Sequence, residues 1–258
     1  MEWRVHREAN SDETPLYILL ENQQIIFKTP DCTDLFERLE WTILLKLLQN
    51  LSGFLQLHAA GLVIDERALL LIGPSGSGKT TLTLSMLLNG WKCLSDEIAL
   101  IESELLKIWP FPRAFHVYPE TLNLFPGLKH LDSEKSFADS SGKKRLDPVN
   151  VKESWSAAPA KPAWLIFPSY TPGGANKLIP IGETEALSLM IDQTINFAEY
   201  ENRGLDILIQ LIRTCECYKL ISGDVNCACS LISDLAAYSN KGRNDLFMNS
   251  SAVANASL

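Results

Sequence analysis

Apolar and polar residues alternate along the first thirty positions of the chain. Short apolar runs bounded by polar turns predict β-strands at residues 3–7, 16–20 and 24–28. Between residues 33 and 51 the apolar positions recur at intervals of three and four, which predicts an amphipathic helix. Thr33 or Asp34 is the predicted N-cap of that helix because both side chains can accept a backbone hydrogen bond.

The rest of the chain alternates short apolar runs with helical patterns. An apolar run at residues 54–57 precedes His58. Strands are predicted at residues 61–64, 68–72, 91–94, 163–167 and 217–221, with a hairpin pair at 98–101 and 106–109. Helices are predicted from Lys79 to the Asn89-Gly90 stop, and at residues 184–191 and 204–215. Prolines punctuate residues 110–160, which are predicted to be loop-rich, partly mobile and substrate-facing.

This alternation predicts an α/β fold, in which a twisted mixed sheet carries packed helices. Residues 1–52 form a predicted small N-terminal element, with antiparallel β-strands and one helix. Residues 53–238 form a predicted larger domain, and the small polar residues of 239–258 predict a disordered tail.

Composition and charge narrow the possible partners. The chain has 258 residues, 46% of them hydrophobic, and a formal net charge of −8, which disfavours general attraction to nucleic acid. Its most apolar stretch, residues 44–64, is interrupted by polar side chains, so no membrane span is expected. The first eight residues carry acids and no apolar segment, so we expect no signal peptide and a cytoplasmic protein.

Two Cys-x-Cys pairs, Cys215/Cys217 and Cys227/Cys229, raise the question of a metal site. Four thiolates could hold a zinc ion, but the spacing is not the usual Cys-x-x-Cys turn. We therefore favour free cysteines in a reducing compartment. A stoichiometric zinc signal in the purified protein would reverse that preference.

A glycine-rich segment between a predicted strand and a predicted helix carries the strongest chemical signal. Residues 73–80 match the Gly-x-x-x-x-Gly-Lys-Thr pattern of a phosphate-binding P-loop. Such a loop directs backbone N–H groups and a helix N-terminus at phosphate oxygens. The predicted ATP-binding residues are Gly73, Pro74, Ser75, Gly76, Ser77, Gly78, Lys79, Thr80 and Thr81. The alternative is a chance Gly/Ser turn before a helix.

Specific roles follow from this pattern. Lys79 is predicted to reach the β- and γ-phosphates, and the Thr80 hydroxyl to bind Mg²⁺. Asp96 and Glu97 follow the next predicted strand, and ligands gather at the carboxyl ends of strands in open α/β sheets. One carboxylate can hold Mg²⁺ or its waters while the other takes a proton from an attacking hydroxyl. The alternative is a pair of solvated acids at a strand end.

The arrangement of these elements resembles a known family. His58 precedes the strand at 61–64, the P-loop follows at 73–80, and Leu94-Ser95-Asp96-Glu97 comes about fifteen residues later. This order is similar to the C-terminal catalytic domain of HPr kinase/phosphorylase and its smaller relatives, which include kinases that modify ribosomal peptides such as lasso-peptide precursors. The resemblance implies a P-loop, PEP carboxykinase-like sheet over residues 53–238. Proteins of this family often form oligomers, hexamers among them, so a homo-oligomer is one expectation and the oligomeric state stays open.

The resemblance also implies roles for single residues. Asp96 matches the family's general base, Glu97 the second acid near the metal, and His58 a histidine that orients or neutralises the aspartate. Lys79 and Thr80 match the P-loop lysine and the metal-bound hydroxyl. The chain departs from the family in carrying Asp-Glu instead of Asp-Asp, and in lacking a full additional N-terminal domain and the downstream glycine-rich signature.

Basic residues downstream are candidates for neutralising the transferring phosphoryl group. Arg113 follows a Pro-x-Pro turn, and residues 143–145 form a Lys-Lys-Arg cluster. A solvated surface cluster is the equal alternative. The expected function is an ATP- and Mg²⁺-dependent kinase acting on a hydroxyl, with a serine of a peptide or small protein as acceptor. Alternatives are a nucleotide-dependent switch or scaffold without phosphotransfer, and a small-molecule kinase.

Overall fold

The computed structural model describes residues 2–9, 15–131, 141–147, 151, 155–156 and 158–238. The predicted tail at 239–258 lies outside the described residues. Among the residues described, no helix is both long and apolar enough to cross a membrane.

The N-terminal part is an antiparallel three-stranded sheet followed by a long helix. The strands are β1 (Trp3–Ala9), β2 (Pro15–Glu21) and β3 (Gln24–Thr29), and the helix is α1 (Cys32–Asn50). The predicted elements are confirmed, but the predicted cap is wrong. Asp31 caps α1, because its carboxylate accepts a 2.7 Å hydrogen bond from the Thr33 N–H while its backbone is still extended.

The central part of the chain builds the strands that carry the glycine-rich loop. They are β4 (Phe54–Ile64), β5 (Arg67–Ile72), helix α2 (Lys79–Leu88), β6 (Lys92–Ser95), β7 (Ile98–Glu102) and β8 (Ile108–Trp109). Residues 54–64 form one continuous strand, where the sequence predicted a strand only from residue 61. The strand spans both segments because it pairs with β7 through its first half and with β5 through its second.

The described part of residues 110–160 contains short elements between loops. Its elements are β9 (Phe115–Val117), α3 (Pro119–Asn123), a 3₁₀ turn (Pro126–Leu131) and β10 (Lys144–Leu146). Phe115, Leu122 and Leu146 are buried there, so part of the predicted loop region belongs to the hydrophobic core. Burial of these apolar side chains outweighs the local preference of proline for irregular structure.

The last part completes the main sheet and covers it with helices. It contains β11 (Lys161–Tyr170), β12 (Lys177–Pro180), α4 (Glu183–Ile191), α5 (Phe197–Thr214), β13 (Glu216–Ser222) and α6 (225–238). The sequence did not predict β12 or α6, and it placed the start of α5 at Gly204, seven residues past its actual start at Phe197.

Within the described residues the main sheet has the strand order β12-β13-β11-β5-β4-β7-β8, with β6 paired to β4. Strands β11 and β13 run parallel to β5, whereas β4 runs antiparallel to β5, β6 and β7. The predicted mixed sheet of an α/β fold is therefore confirmed. Strands β5, β6, β11 and β13 point the same way, so their carboxyl ends meet at one edge of the sheet.

Helices cover both faces of this sheet. Along β5, Leu69 and Leu71 pack into a cluster with α2, while Leu70 and Ile72 pack into a cluster with α5. Side chains of a strand alternate between faces, so burial on both sides explains the uninterrupted apolar run before the glycine-rich loop. A smaller cluster joins α1 to the sheet edge through Leu44, Leu48, Ile98 and Leu100.

Candidate active site

The glycine-rich loop connects the end of β5 at Ile72 to the start of α2 at Lys79. Gly76 and Gly78 have φ angles of +83° and +95°, in the left-handed region that favours glycine. Gly73 meets a different demand, since a Cβ there would lie 3.1 Å from Ser77 Oγ. These glycines let the chain turn sharply enough to bring the start of α2 back over the end of β5.

The start of α2 is suited to an anion. Its N-cap is Gly78, and no side chain caps the helix. The N–H groups of a helix's first turn have no partner within the helix, and they carry the positive end of its dipole. A phosphate is the ligand that such an end favours.

The Lys79 side chain lies against the loop that it follows. Its Nζ donates hydrogen bonds to the carbonyl oxygens of Gly73, at 2.7 Å, and of Pro74, at 3.0 Å. Burial lowers the pKa of Lys79, while the carboxylates of Asp96 and Glu97 oppose that effect. The ammonium group is thus held at the loop, where it complements an anion.

A hydrogen bond connects the loop helix to the acidic pair. Thr80 Oγ1 donates to Asp96 Oδ2 at 3.1 Å, which brings the residue after β6 to the first turn of α2. The Asp96 carboxyl is buried, and this burial raises its pKa from 3.8 to about 7 although the Thr80 hydrogen bond acts in the opposite direction. Among the described residues, the buried Oδ1 has no hydrogen-bond partner.

Glu97 belongs to a series of ion pairs that extends to α1. Arg113 contacts Glu97 at 2.5 Å and Glu40 at 3.5 Å, and Arg145 contacts the same Glu40 at 2.5 Å. The Arg113 guanidinium also lies 5.8 Å from the centre of the Trp41 ring. Because its side chain is only 13% exposed, Arg113 is held firmly between the acidic pair and α1.

His58 lies on β4, opposite Ile98 in the register of the sheet. Its Nδ1 is 3.1 Å from Gln193 Oε1, and its backbone N–H donates to the Gln193 carbonyl at 2.7 Å. Burial lowers the pKa of His58, and the Lys79 charge lowers it further. A neutral imidazole that donates from Nδ1 to the amide oxygen carries its lone pair on Nε2.

These side chains surround one cavity of about 900 Å³. The cavity is lined by the loop and α2 start, by His58, Asp96, Glu97 and Arg113, and by Glu37, Trp41, Tyr118, Lys143, Tyr170 and residues 222–225. The structure therefore brings together the predicted loop, acidic pair, histidine and arginine. The volume of the cavity is within the range typical of small-molecule sites.

The residues present fit a magnesium ion bound with a nucleotide. Thr80, Asp96 and Glu97 supply hydroxyl and carboxylate oxygens, and the buried Asp96 Oδ1 lacks a partner among described residues. In the described part of the chain, no three or more His, Cys, Asp or Glu side chains form a metal-holding group. Mg²⁺ does not require such a cage, because it keeps several waters and uses one or two carboxylates together with phosphates.

The cysteine pairs lie on different elements. Cys215 and Cys217 border or occupy β13, whereas Cys227 and Cys229 are on α6. Burial raises the pKa of Cys215 to about 12 and that of Cys217 to about 11, which opposes the thiolate form that zinc requires. Our preference for free thiols remains a prediction.

Several residues that line the cavity or contact its lining residues were not predicted from the sequence. Glu40 and Trp41 come from α1, and Gln193 follows α4, far along the chain from the loop. Trp41, an exposed aromatic residue in an amphipathic helix, is the one feature of α1 that could have indicated a role in the site. Gln193 carries no sequence signal, because a lone glutamine after a helix is ordinary.

No protein-family model and no curated protein sequence matches this chain. Its function must therefore be argued from the geometry of the cavity.

Proposed function

We propose that this protein is an ATP- and Mg²⁺-dependent kinase that transfers the γ-phosphoryl group to a hydroxyl, a serine in a peptide or small protein. The observation that carries the proposal is the Thr80–Asp96 hydrogen bond. It joins a phosphate-binding loop to a buried carboxyl whose pKa of about 7 suits proton transfer near neutral pH.

The triphosphate would bind along residues 73–81. Backbone N–H groups of the loop and the start of α2 would contact phosphate oxygens, and Lys79 would leave the Gly73 and Pro74 carbonyls for the β- and γ-phosphates. When bound, Mg²⁺ would neutralise phosphate charge, held by Thr80 with Asp96 or Glu97.

Asp96 is the proposed general base. As the acceptor hydroxyl attacks the γ-phosphorus, its proton would pass to the Asp96 carboxylate, the new O–P bond would form, and the bond to the ADP oxygen would break. A base works best when its pKa lies near the operating pH, and the burial of Asp96 supplies that match.

Arg113 and His58 have supporting roles in this proposal. Arg113 fixes Glu97 and adds positive charge beside the acidic pair, where negative charge develops during transfer. His58 lines the same cavity, and Gln193 orients its ring.

The resemblance to the catalytic domain of HPr kinase/phosphorylase is part of the proposal. It rests on the order of His58, the P-loop and the Asp96-Glu97 pair along the chain. Convergence of these elements on one cavity is what that resemblance requires. Among the smaller relatives, peptide-modifying kinases suggest a peptide acceptor.

The test separates nucleotide binding from transfer. The protein is incubated with γ-labelled ATP, Mg²⁺ and serine-containing peptide pools, and labelled ATP binding is measured in parallel. Asp96→Asn should bind ATP and lose transfer, because only the base is removed. Asp206→Asn, the same change at an exposed position of α5, should behave as wild type.

Either of two results would contradict the proposal. Normal transfer by Asp96→Asn would remove the assigned base. ATP hydrolysis stimulated by a partner, with no phosphorylated product in any pool, would favour the nucleotide-dependent switch instead.

A further inference from the structure

We propose that the acceptor binds as a peptide segment with bulky apolar side chains in a groove along α1, beside the active-site cavity. This inference rests on the proposed kinase function and names the docking surface for its substrate. The groove is formed by Phe36, Leu39, Ile43 and Leu47 of α1 together with Phe111 and Pro112, and we call it the α1 groove.

The α1 groove is an apolar stripe that the fold leaves uncovered. Its helical members follow the spacing of one helix face. Phe36, Ile43 and Leu47 are 58%, 38% and 53% exposed, although Leu44 and Leu48 of the same helix are buried against the sheet. The groove encloses about 380 Å³, enough for a few apolar side chains of a partner.

The α1 groove adjoins the active-site cavity. Arg113 lines both the groove and the cavity, and it directly follows Phe111 and Pro112 in the chain. The same guanidinium contacts Glu97, the neighbour of the proposed base. A peptide lying in the groove would therefore reach the acidic pair within a short length of chain.

A nucleotide bound at the loop would leave the α1 side of the cavity open to the acceptor. In the strand order β13-β11-β5-β4, the loop at the end of β5 lies between β6, which pairs with β4 and precedes the acidic pair, and strands β11 and β13, which lead to Tyr170 and residues 222–225. The ideal Cβ position of Gly78 in that loop is 3.9 Å from Tyr170 Cβ. In-line transfer needs the acceptor hydroxyl and the leaving ADP on opposite sides of the γ-phosphorus. An acceptor at Asp96 thus approaches from the α1 side.

The charges at the edge of the groove form ion pairs with one another. Arg113 and Arg145 both contact Glu40, so two guanidinium groups share one carboxylate within the groove lining. Arg113 also contacts Glu97, so two carboxylates match the two guanidinium groups, which suits an apolar segment better than a charged one. The acceptor chemistry is thus a serine flanked by large apolar residues.

The experiment uses degenerate peptides with a fixed serine and randomised flanking positions, incubated with labelled ATP and the full-length protein. Wild type is compared with Leu47→Glu, which charges the groove, and with Leu45→Glu. Leu45 is a matched control because it lies on the same helix with 48% exposure against 53% for Leu47. The two side chains point about 200° apart around the helix.

Wild type should select Leu, Ile or Phe near the serine. For peptides with large apolar residues near the serine, Leu47→Glu should lower kcat/KM by about tenfold or more. This factor corresponds to the free energy of burying one leucine side chain. The ATP binding of Leu47→Glu should not change, and Leu45→Glu should match wild type in both measurements.

Three results would overturn the inference, and they are distinguishable from one another. Transfer without apolar selection, or equal losses in both variants, rejects the groove and keeps the kinase. Bound ATP with no transfer to any pool rejects the proposed function and the groove together. If sedimentation shows a dimer that only Leu47→Glu dissociates, a second copy of the chain occupies the groove.

Discussion

Replacing Asp96 by asparagine should make the folded protein more resistant to alkaline pH while it abolishes transfer. The amide keeps the shape of the carboxyl and can still accept the Thr80 hydroxyl hydrogen bond. It cannot ionise, so the cost of burying a carboxylate disappears.

The sign and the size of the effect follow from proton linkage. The pKa of Asp96 is about 7 in the folded protein against an ordinary 3.8, so folding takes up a proton between these values. The protonated carboxyl favours the folded state fully below about pH 4. That advantage declines as the pH rises and is lost once it passes about 7.

The magnitude can be worked out for two convenient conditions. Between pH 5 and pH 8 the unfolded carboxyl is ionised throughout, whereas the folded carboxyl stays protonated until about pH 7. That interval of about two pH units, at about 1.4 kcal/mol per unit, corresponds to roughly 2.7 kcal/mol. Between pH 5 and pH 8, the free energy of unfolding of wild type should therefore fall by this amount more than that of Asp96→Asn.

The assay is urea unfolding of both proteins at the two pH values, with linear extrapolation to water. Any fixed cost of the new amide group cancels, because only the change with pH is compared. Asp206→Asn on the exposed face of α5 provides the control and should follow wild type. An identical pH dependence in wild type and Asp96→Asn would refute the buried, high-pKa carboxyl and with it the assigned base.

Three further predictions concern the reaction. The value of kcat/KM for ATP should rise with pH and level off above about 7, because this ratio reports the free enzyme, in which Asp96 must be ionised to act as a base; a flat profile measured by labelled-phosphate transfer would contradict this. Lys79→Ala should weaken ATP binding by about tenfold or more in calorimetry, since charge-assisted hydrogen bonds to phosphate are lost. Arg113→Lys should lower transfer by about tenfold with ATP affinity unchanged, because one ammonium cannot bridge Glu97 and Glu40 as a guanidinium does. Full activity of that variant would show that the bridge has no role.

The burial that raises the Asp96 pKa illustrates a general conflict. A carboxyl without a partner for one oxygen is costly to the folded state. Active sites are where such costs are retained, because the same burial gives the group a useful pKa. The Asp96→Asn variant allows both effects of this burial to be measured, the cost to the stability of the folded state and the contribution to transfer.

Local patterns in the sequence determined the elements that carry the loop. The apolar run at 68–72, the glycines at 73, 76 and 78, and the helix after Lys79 all depend on neighbouring residues. Backbone geometry restricts which residues can adopt the turn, so the strand, loop and helix could be predicted together. The α/β class followed from the same alternation of strands and helices.

Tertiary structure alone decided how distant segments share the site. Arg113 meets Glu40, and His58 meets Gln193, although more than seventy positions separate each pair. The order of elements predicted that Asp96 would lie near the loop, but its pKa of about 7 depends on burial by the surrounding fold. Burial and long-range contacts arise from packing between elements, and no local residue pattern encodes them.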